Sequence, residues 1–195
     1  NLGFNVFKKM SIARKDLAGI LKELDTQTAY YVIKTFIYEH SFDKEGKYRD
    51  VFFGSLLDLA QQKEKVLVWG YILDDYASCL AKISACRAPR VVPVEAFLTA
   101  ADIIRYSLQV MFYRVSLKRR SLFGGEDVTE VVQNELRETG YKVQLYQLLH
   151  YPAVKRLAGK IQVKTFLMTC ENNPWERLCC LGLREASPQT AILGS

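Results

Sequence analysis

The stretch FLTAADIIRYSLQVMFYRV, residues 97–115, carries the strongest helical ladder in the chain. Phe97, Ala101, Ile104, Leu108, Met111 and Val115 succeed one another at spacings of four and three, the repeat that stacks side chains along one side of an α-helix. Ile103, Val110 and Phe112 widen this stripe until the helix is apolar nearly all round. A helix of that kind is ordinarily buried at the centre of its domain. The sequence therefore predicts a core helix over 93–117, with Pro93 in its first turn and the remaining helices assembled about it.

Upstream, the same repeat predicts a helix over 11–24 carrying Ile12, Leu17, Ile20, Leu21 and Leu24. Ala29, Val32, Ile33, Phe36 and Ile37 follow the i, i+3, i+4, i+7, i+8 rule and predict a second, with Tyr31, Lys34 and Tyr38 on its other side. A third is expected over 49–62, burying Phe52, Leu56 and Leu59. A fourth is expected over 65–86, where Val66, Trp69, Leu73, Tyr76, Leu80 and Ile83 keep the period until Pro89 stops it.

Downstream, Gly124-Gly125 marks a break, and Asp127 would cap a helix bearing Val128, Val131, Val132 and Leu136, closed by Gly140. Two shorter helices follow, over 141–150 and, opened by Pro152, to Leu157. Residues 161–167 alternate well enough for a strand and also suit a helix. Asn172-Asn173-Pro174 is a turn leading into a helix with Trp175, Leu178 and Leu181. The expected fold class is all-α, a compact bundle of about six to eight helices, with a small strand near 160–170 as the alternative. Residues 1–10 read as a basic N-terminal arm, 11–186 as one helical domain and 187–195 as a frayed tail.

Composition bounds the function. Nearly half of the residues are hydrophobic and a quarter are charged, an ordinary globular mixture that leaves disorder no compositional basis. The cysteine count is odd (Cys79, Cys86, Cys170, Cys179 and Cys180), no C-x-x-C pair occurs, and no N-x-S/T triplet is present. These features point to a reducing compartment, the cytoplasm, nucleus or mitochondrial matrix. No apolar run reaches the roughly 20 residues that cross a bilayer.

Charge is the most informative functional feature. Residues 105–120 hold Arg105, Arg114, Lys118, Arg119 and Arg120 with no acid, and residues 142–164 hold Lys142, Lys155, Arg156, Lys160 and Lys164, again with none. Between them lies an acidic piece with Glu126, Asp127, Glu130, Glu135 and Glu138. Interleaved with Tyr113, Tyr141, Tyr146 and Tyr151, the basic stretches could track a phosphate backbone while aromatics stack on bases. Cations that offset helix C-terminal dipoles give the plainer explanation. The candidate basic patch is Arg114, Lys118, Arg119, Arg120, Lys155, Arg156, Lys160 and Lys164.

Other constellations point to structure rather than chemistry. Asp74-Asp75 lacks a second carboxylate cluster for a metal and reads as a solvated helix face. His40 and His150 have no cysteine at ligand spacing, so no metal or cofactor is expected. His150 reads as a residue near a helix end, and Cys179-Cys180 as buried thiols rather than a lipidated pair. Tyr30, Tyr31, Tyr38, Trp69 and Trp175 could anchor a partner. The expected function is a non-catalytic helical interaction domain, an adaptor or assembly subunit that binds another protein. The alternative is a nucleic-acid-binding helical domain that uses the two basic stretches.

Overall fold

The segment that spacing reads as the second helix is an extended strand, β1 (Ala29–Ile37), at the middle of a parallel sheet. The computed structural model describes residues 2–24, 27–112 and 120–194, with the backbone alone over 135–144. Two helices, α1 (Leu2–Asp16) and α2 (Ala18–Glu23), precede β1. After it come α3 (Ser55–Lys63), β2 (Lys65–Ile72), α4 (Tyr76–Ala85), β3 (Arg90–Pro93) and α5 (Ala100–Phe112). A hairpin of β4 (Leu122–Phe123) and β5 (Glu126–Asp127) leads to the long α6 (Thr129–Lys160). The chain then runs through β6 (Gln162–Met168), α7 (Pro174–Ala186) and β7 (Ala191–Gly194).

The main sheet has the order β3-β2-β1-β6-β7 and every pairing in it is parallel. The fold is therefore α/β of the doubly wound kind, and the all-α, all-helical expectation is corrected. The physical reason lies in β1 itself. A central parallel strand is buried on both faces, so it reads as a near-continuous apolar run rather than an alternation. In such a run spacings of three and four are filled as readily as spacings of two, and periodicity cannot choose between them. Residue type does choose. Tyr30, Tyr31, Val32, Ile33, Thr35, Phe36 and Ile37 are all aromatic or β-branched, the side chains that suit a pleated surface.

The expected helix over 65–86 divides in the same way. KVLVWGYI is β2, and Asp75 then caps α4 by accepting a hydrogen bond from Ser78 N at 2.8 Å. The expected core helix is also corrected. α5 spans only 100–112, Phe97 lies in a short 3-10 turn before it, and residues 113–115 fall outside the described residues. Its buried stripe is Ile103, Tyr106 and Val110, whereas Ile104, Leu108, Met111 and Phe112 are exposed. Two ladders run one residue out of phase on this helix, and with no polar side to decide, the longer one points to water. Gly140, expected to close one helix, and Pro152, expected to open another, both lie inside α6, so His150 is mid-helix.

Residues 2–10, read as an arm, form the first turns of α1, with Val6 and Met10 buried. Residues 191–194, read as tail, pair with β6 from Thr165 to Met168. On one face of the sheet α3 buries Leu57. Phe52, Leu56 and Leu59, expected to be buried, are exposed, and Leu56 and Leu59 border an open apolar cleft with Ile33, Thr165 and Leu167. The other face, carrying Lys34, Phe36, Trp69 and Tyr71, meets α1, α6 and α7. Among the described residues no helix is long and apolar enough to cross a membrane.

Gly70 of β2 is the tightest test of this packing. A Cβ there would sit 2.5 Å from Ile37 Cγ1 and 3.1 Å from the Thr35 carbonyl oxygen. Gly70→Ala is expected to destabilise the fold by about 1–3 kcal/mol in urea denaturation, as overpacking does. Leu108→Ala should change it by less than about 0.5 kcal/mol, the effect of a surface substitution. A buried central helix would instead make the leucine substitution cost about 2–5 kcal/mol.

Candidate functional site

The period of β1 places Val32, Lys34 and Phe36 on the face that α7 covers, so Lys34 enters the core in mid-strand. Lys34 sits opposite Trp69 on β2 and Met168 on β6. It is 1% exposed. Its ammonium lies 4.4 Å from the Trp175 ring centre, 5.2 Å from Phe36 and 5.9 Å from Trp69. Its hydrogen bond to the neighbouring Thr35 carbonyl is long, at 3.3 Å. Burial pushes the Lys34 pKa down to about 8, although Cys179, Glu95 and Glu176 pull the other way.

Around this cation stand further polar groups with little to satisfy them. Glu95, in the 3-10 turn after β3, is buried, and among the described residues neither carboxylate oxygen has a hydrogen-bond partner. Burial raises its pKa, while its own backbone amide, then Lys9 and Lys34, draw it back only in part. Trp69 Nε1 and Thr169 Oγ1 are likewise buried, without partners among the described residues. An unsatisfied buried polar group costs about 1–3 kcal/mol, so Glu95, Trp69 and Thr169 together carry a considerable penalty.

Two aromatic assemblies flank the cluster. Lys9 of α1 reaches across so that its ammonium lies 4.9 Å from Tyr76, 5.6 Å from Tyr71 and 6.0 Å from Tyr146. His150 of α6 lies between Trp69 at 6.1 Å and Trp175 at 5.6 Å. Its Nδ1 is 2.8 Å from the Tyr146 carbonyl, which assigns the proton to that nitrogen. Burial, with Lys34 nearby, lowers the His150 pKa to about 3 and keeps the ring neutral. The Cys179 thiol is pushed up to about 12 by burial.

The position of the cluster in the sheet is as informative as its contents. From β1 the chain winds outward through β2 and β3, then returns through α5 and α6 to add β6 on the opposite side. In open α/β sheets ligands settle outside the carboxyl ends of the strands at such a reversal. Those ends here are Tyr38–His40 after β1 and Thr169–Pro174 after β6. Tyr38 and His40 stack at 5.0 Å, and half-buried Phe36 joins exposed Phe52 at 5.7 Å to Trp175 at 6.3 Å. Rings thus lead from solvent down to Lys34.

The loop after β6 is held by Glu176, whose Oε1 accepts from Glu171 N at 2.9 Å and Asn173 Nδ2 at 3.2 Å. Trp175 N donates to Gln147 Oε1 and Glu176 N to the Asn173 carbonyl, so the first turn of α7 has its donors occupied. Directly after β1 the chain reads Tyr38-Glu39-His40-Ser41, and the two glycines of this crossover, Gly46 and Gly54, stand eight residues apart rather than at G-x-G-x-x-G spacing. The glycine-rich turn that brings backbone against a dinucleotide's phosphates is therefore missing from this crossover.

The residues that sequence singled out are divided by the fold. Lys155, Arg156 and Lys160 line one open groove together with Arg14 and Lys22. Lys164 lies elsewhere, on β6, paired with Glu64 at 2.8 Å and set over Tyr31. Arg120 is by the hairpin, 3.8 Å from Asp127. Arg114, Lys118, Arg119 and Tyr113 lie outside the described residues, as do the side chains of Glu135, Glu138, Tyr141 and Lys142. Asp74 and Asp75 are exposed, as a solvated pair would be, but they precede α4 rather than lie on a helix face: Asp74 accepts from Glu39 N at 2.8 Å and Asp75 caps α4. Cys179 is buried and Cys180 half-buried. Among the described residues no group of three or more His, Cys, Asp or Glu could hold a metal ion.

Comparison of the chain with protein-family models, with curated proteins and with solved structures finds no match.

The Lys34 environment has a pH signature. With a folded pKa of about 8 against an ordinary 10.5, the unfolded chain holds the extra proton between those values. Unfolding free energy of the native protein should therefore rise relative to that of Lys34→Met as pH increases from 8 to 10.5. Denaturant titrations of both proteins across this window measure the difference. A constant difference would show that Lys34 is charged and solvated in the folded state.

Proposed function

We propose that this chain is a small-molecule-binding α/β domain whose ligand sits at the carboxyl ends of β1 and β6. The ligand we propose is anionic, rich in acceptor oxygens, and carries a planar or apolar portion. One observation carries this reading: the winding reversal of the sheet coincides with a buried ammonium, Lys34, that has only a long local hydrogen bond.

The unsatisfied groups agree in kind. The Lys34 ammonium and Trp69 Nε1 can only donate, and the Thr169 hydroxyl can donate. Glu95, with its pKa raised by burial, also donates when protonated. Such a set is completed by oxygens that accept. The ring path of Tyr38, His40, Phe36 and Phe52 offers stacking surface for the rest of the ligand. Perturbed titratable groups gathered at a fold's usual ligand position are the standard ground for such an assignment.

A second reading, an interaction domain for another protein, is favoured by the exposed apolar stripe Ile104, Leu108, Met111 and Phe112 of α5. Ile104→Glu with Met111→Glu should then release a stoichiometric partner in affinity purification. Retention of that partner would count against an interface on α5.

The leading reading is tested by titrating nucleoside mono- and diphosphates, sugar phosphates, dicarboxylates and 2-oxo acids while following the Trp69 and Trp175 indole N–H resonances. At least one of these classes is expected to shift both. Lys34→Met should weaken its affinity by about tenfold or more, the worth of a charge-assisted hydrogen bond. Indole resonances that stay still at millimolar ligand, or an affinity indifferent to Lys34→Met, would refute the assignment.

A further inference from the structure

Lys155, Arg156 and Lys160 converge near the C-terminal end of α6, and the fold brings Arg14 of α1 and Lys22 of α2 to the same groove. Its volume is about 820 Å³, and Leu21, Ala96 and Phe97 supply an apolar lining. None of the rings around Lys34 lines it, nor does Lys34 itself, so it is separate from the crest site, the one proposed at the carboxyl ends of β1 and β6.

Two of the five cations are already neutralised and build the wall. Arg156 grips Asp102 through two bonds, at 2.5 and 2.9 Å, and donates to the Phe97 carbonyl at 3.3 Å. Burial would raise the Asp102 pKa, but Arg156 and Thr99 outweigh it and hold the carboxyl below its usual range. Lys155 pairs with Glu185 at 2.8 Å. Arg14 is laid along the groove by the bond from its Nε to the Ala96 carbonyl at 3.4 Å. Among the described residues Arg14, Lys22 and Lys160 form no ion pair with a carboxylate, and all three are exposed.

Helix ends alone do not account for this charge. α1, α2 and α6 each contribute at most about half a negative charge at their C-termini, or about 1.5 in all. Against three unpaired cations that leaves an excess of about 1.5 positive charges. A single-signed rim over an apolar lining selects an anion that also carries an apolar part.

We infer that this groove binds a phosphate-bearing ligand, with Arg14, Lys22 and Lys160 taking the phosphate and Leu21 and Phe97 the apolar portion. Arg156 and Asp102 act as positioning residues that hold the Phe97 wall. The phosphate belongs either to a soluble phosphorylated compound or to a lipid headgroup, and one set of measurements separates the two.

Isothermal titration with inorganic pyrophosphate reads the first source, and co-sedimentation with phosphatidylglycerol vesicles, against phosphatidylcholine, reads the second. Binding to either at low ionic strength supports the site. The double variant Lys22→Glu/Lys160→Glu should weaken it about tenfold or more, and added salt should weaken it further. Lys164→Glu, an exposed lysine away from the groove, should leave it within about twofold. The inference is overturned if neither probe binds, if Lys164→Glu costs as much as the groove variant, or if only single-stranded oligonucleotides bind. In a Lys34→Met background, where the crest site is disabled, pyrophosphate or vesicle binding that Lys22→Glu/Lys160→Glu removes should persist, so this site and the crest site fail separately.

Discussion

β1 has no free side. β2 and β6 occupy both of its hydrogen-bonding edges, and residues on both of its faces are buried, from Val32 to Thr35 without a break. Every side chain on it must therefore find its partner inside the protein, Lys34 included. An isolated buried ammonium is costly. The three rings around it return about 0.5–2 kcal/mol per close cation–π contact, less than full hydration would give. The lowered pKa of Lys34 expresses that shortfall. Neutral His150, buried Glu95 and the two tryptophans are placed by the same constraint, since each packs on the face that Lys34 enters.

α6 ties the two candidate sites together. Tyr146 and His150 face the crest, whereas Lys155, Arg156 and Lys160 face the groove. His150 and Lys160 are ten residues apart, about 15 Å along a helix at 1.5 Å per residue. α7 fixes this helix closely, because Gly182 approaches so near that a Cβ would lie 2.5 Å from Val154 Cγ1 and 3.1 Å from the Tyr151 carbonyl. One rigid rod thus sets the geometry at both places, and the Trp175–His150 contact links α7 to it at the crest.

What could be read in the sequence follows from burial. Helical segments with one wet side, such as α7, show themselves by period, as does the cap-and-turn signal at Asn173-Pro174. β1 and β2 conceal themselves because both of their faces are dry, and α5 misleads because its exposed side is as apolar as its buried one. The crest site had a signal that went unused. Lys34 and Glu95 each stand alone within an apolar run, YYVIKTFI and VVPVEAFL, and a solitary charge in such a run must be accommodated somewhere. Read as a helix, 29–38 assigned Lys34 to a wet side and removed the question. The groove was half legible: Lys155, Arg156 and Lys160 stand together in sequence, but Arg14 and Lys22 join them only through the fold.

Lys34 is a desolvated cation at the point where the sheet changes direction, and the proposed ligand site depends on that state. Nitrogen-15 NMR of the lysine side chains, followed through a pH titration and assigned with Lys34→Met, measures this directly. A Lys34 Nζ resonance with its midpoint near 8 is the expected result. A midpoint near the ordinary 10.5 would place the ammonium in water and contradict both the strand register and the site built on it.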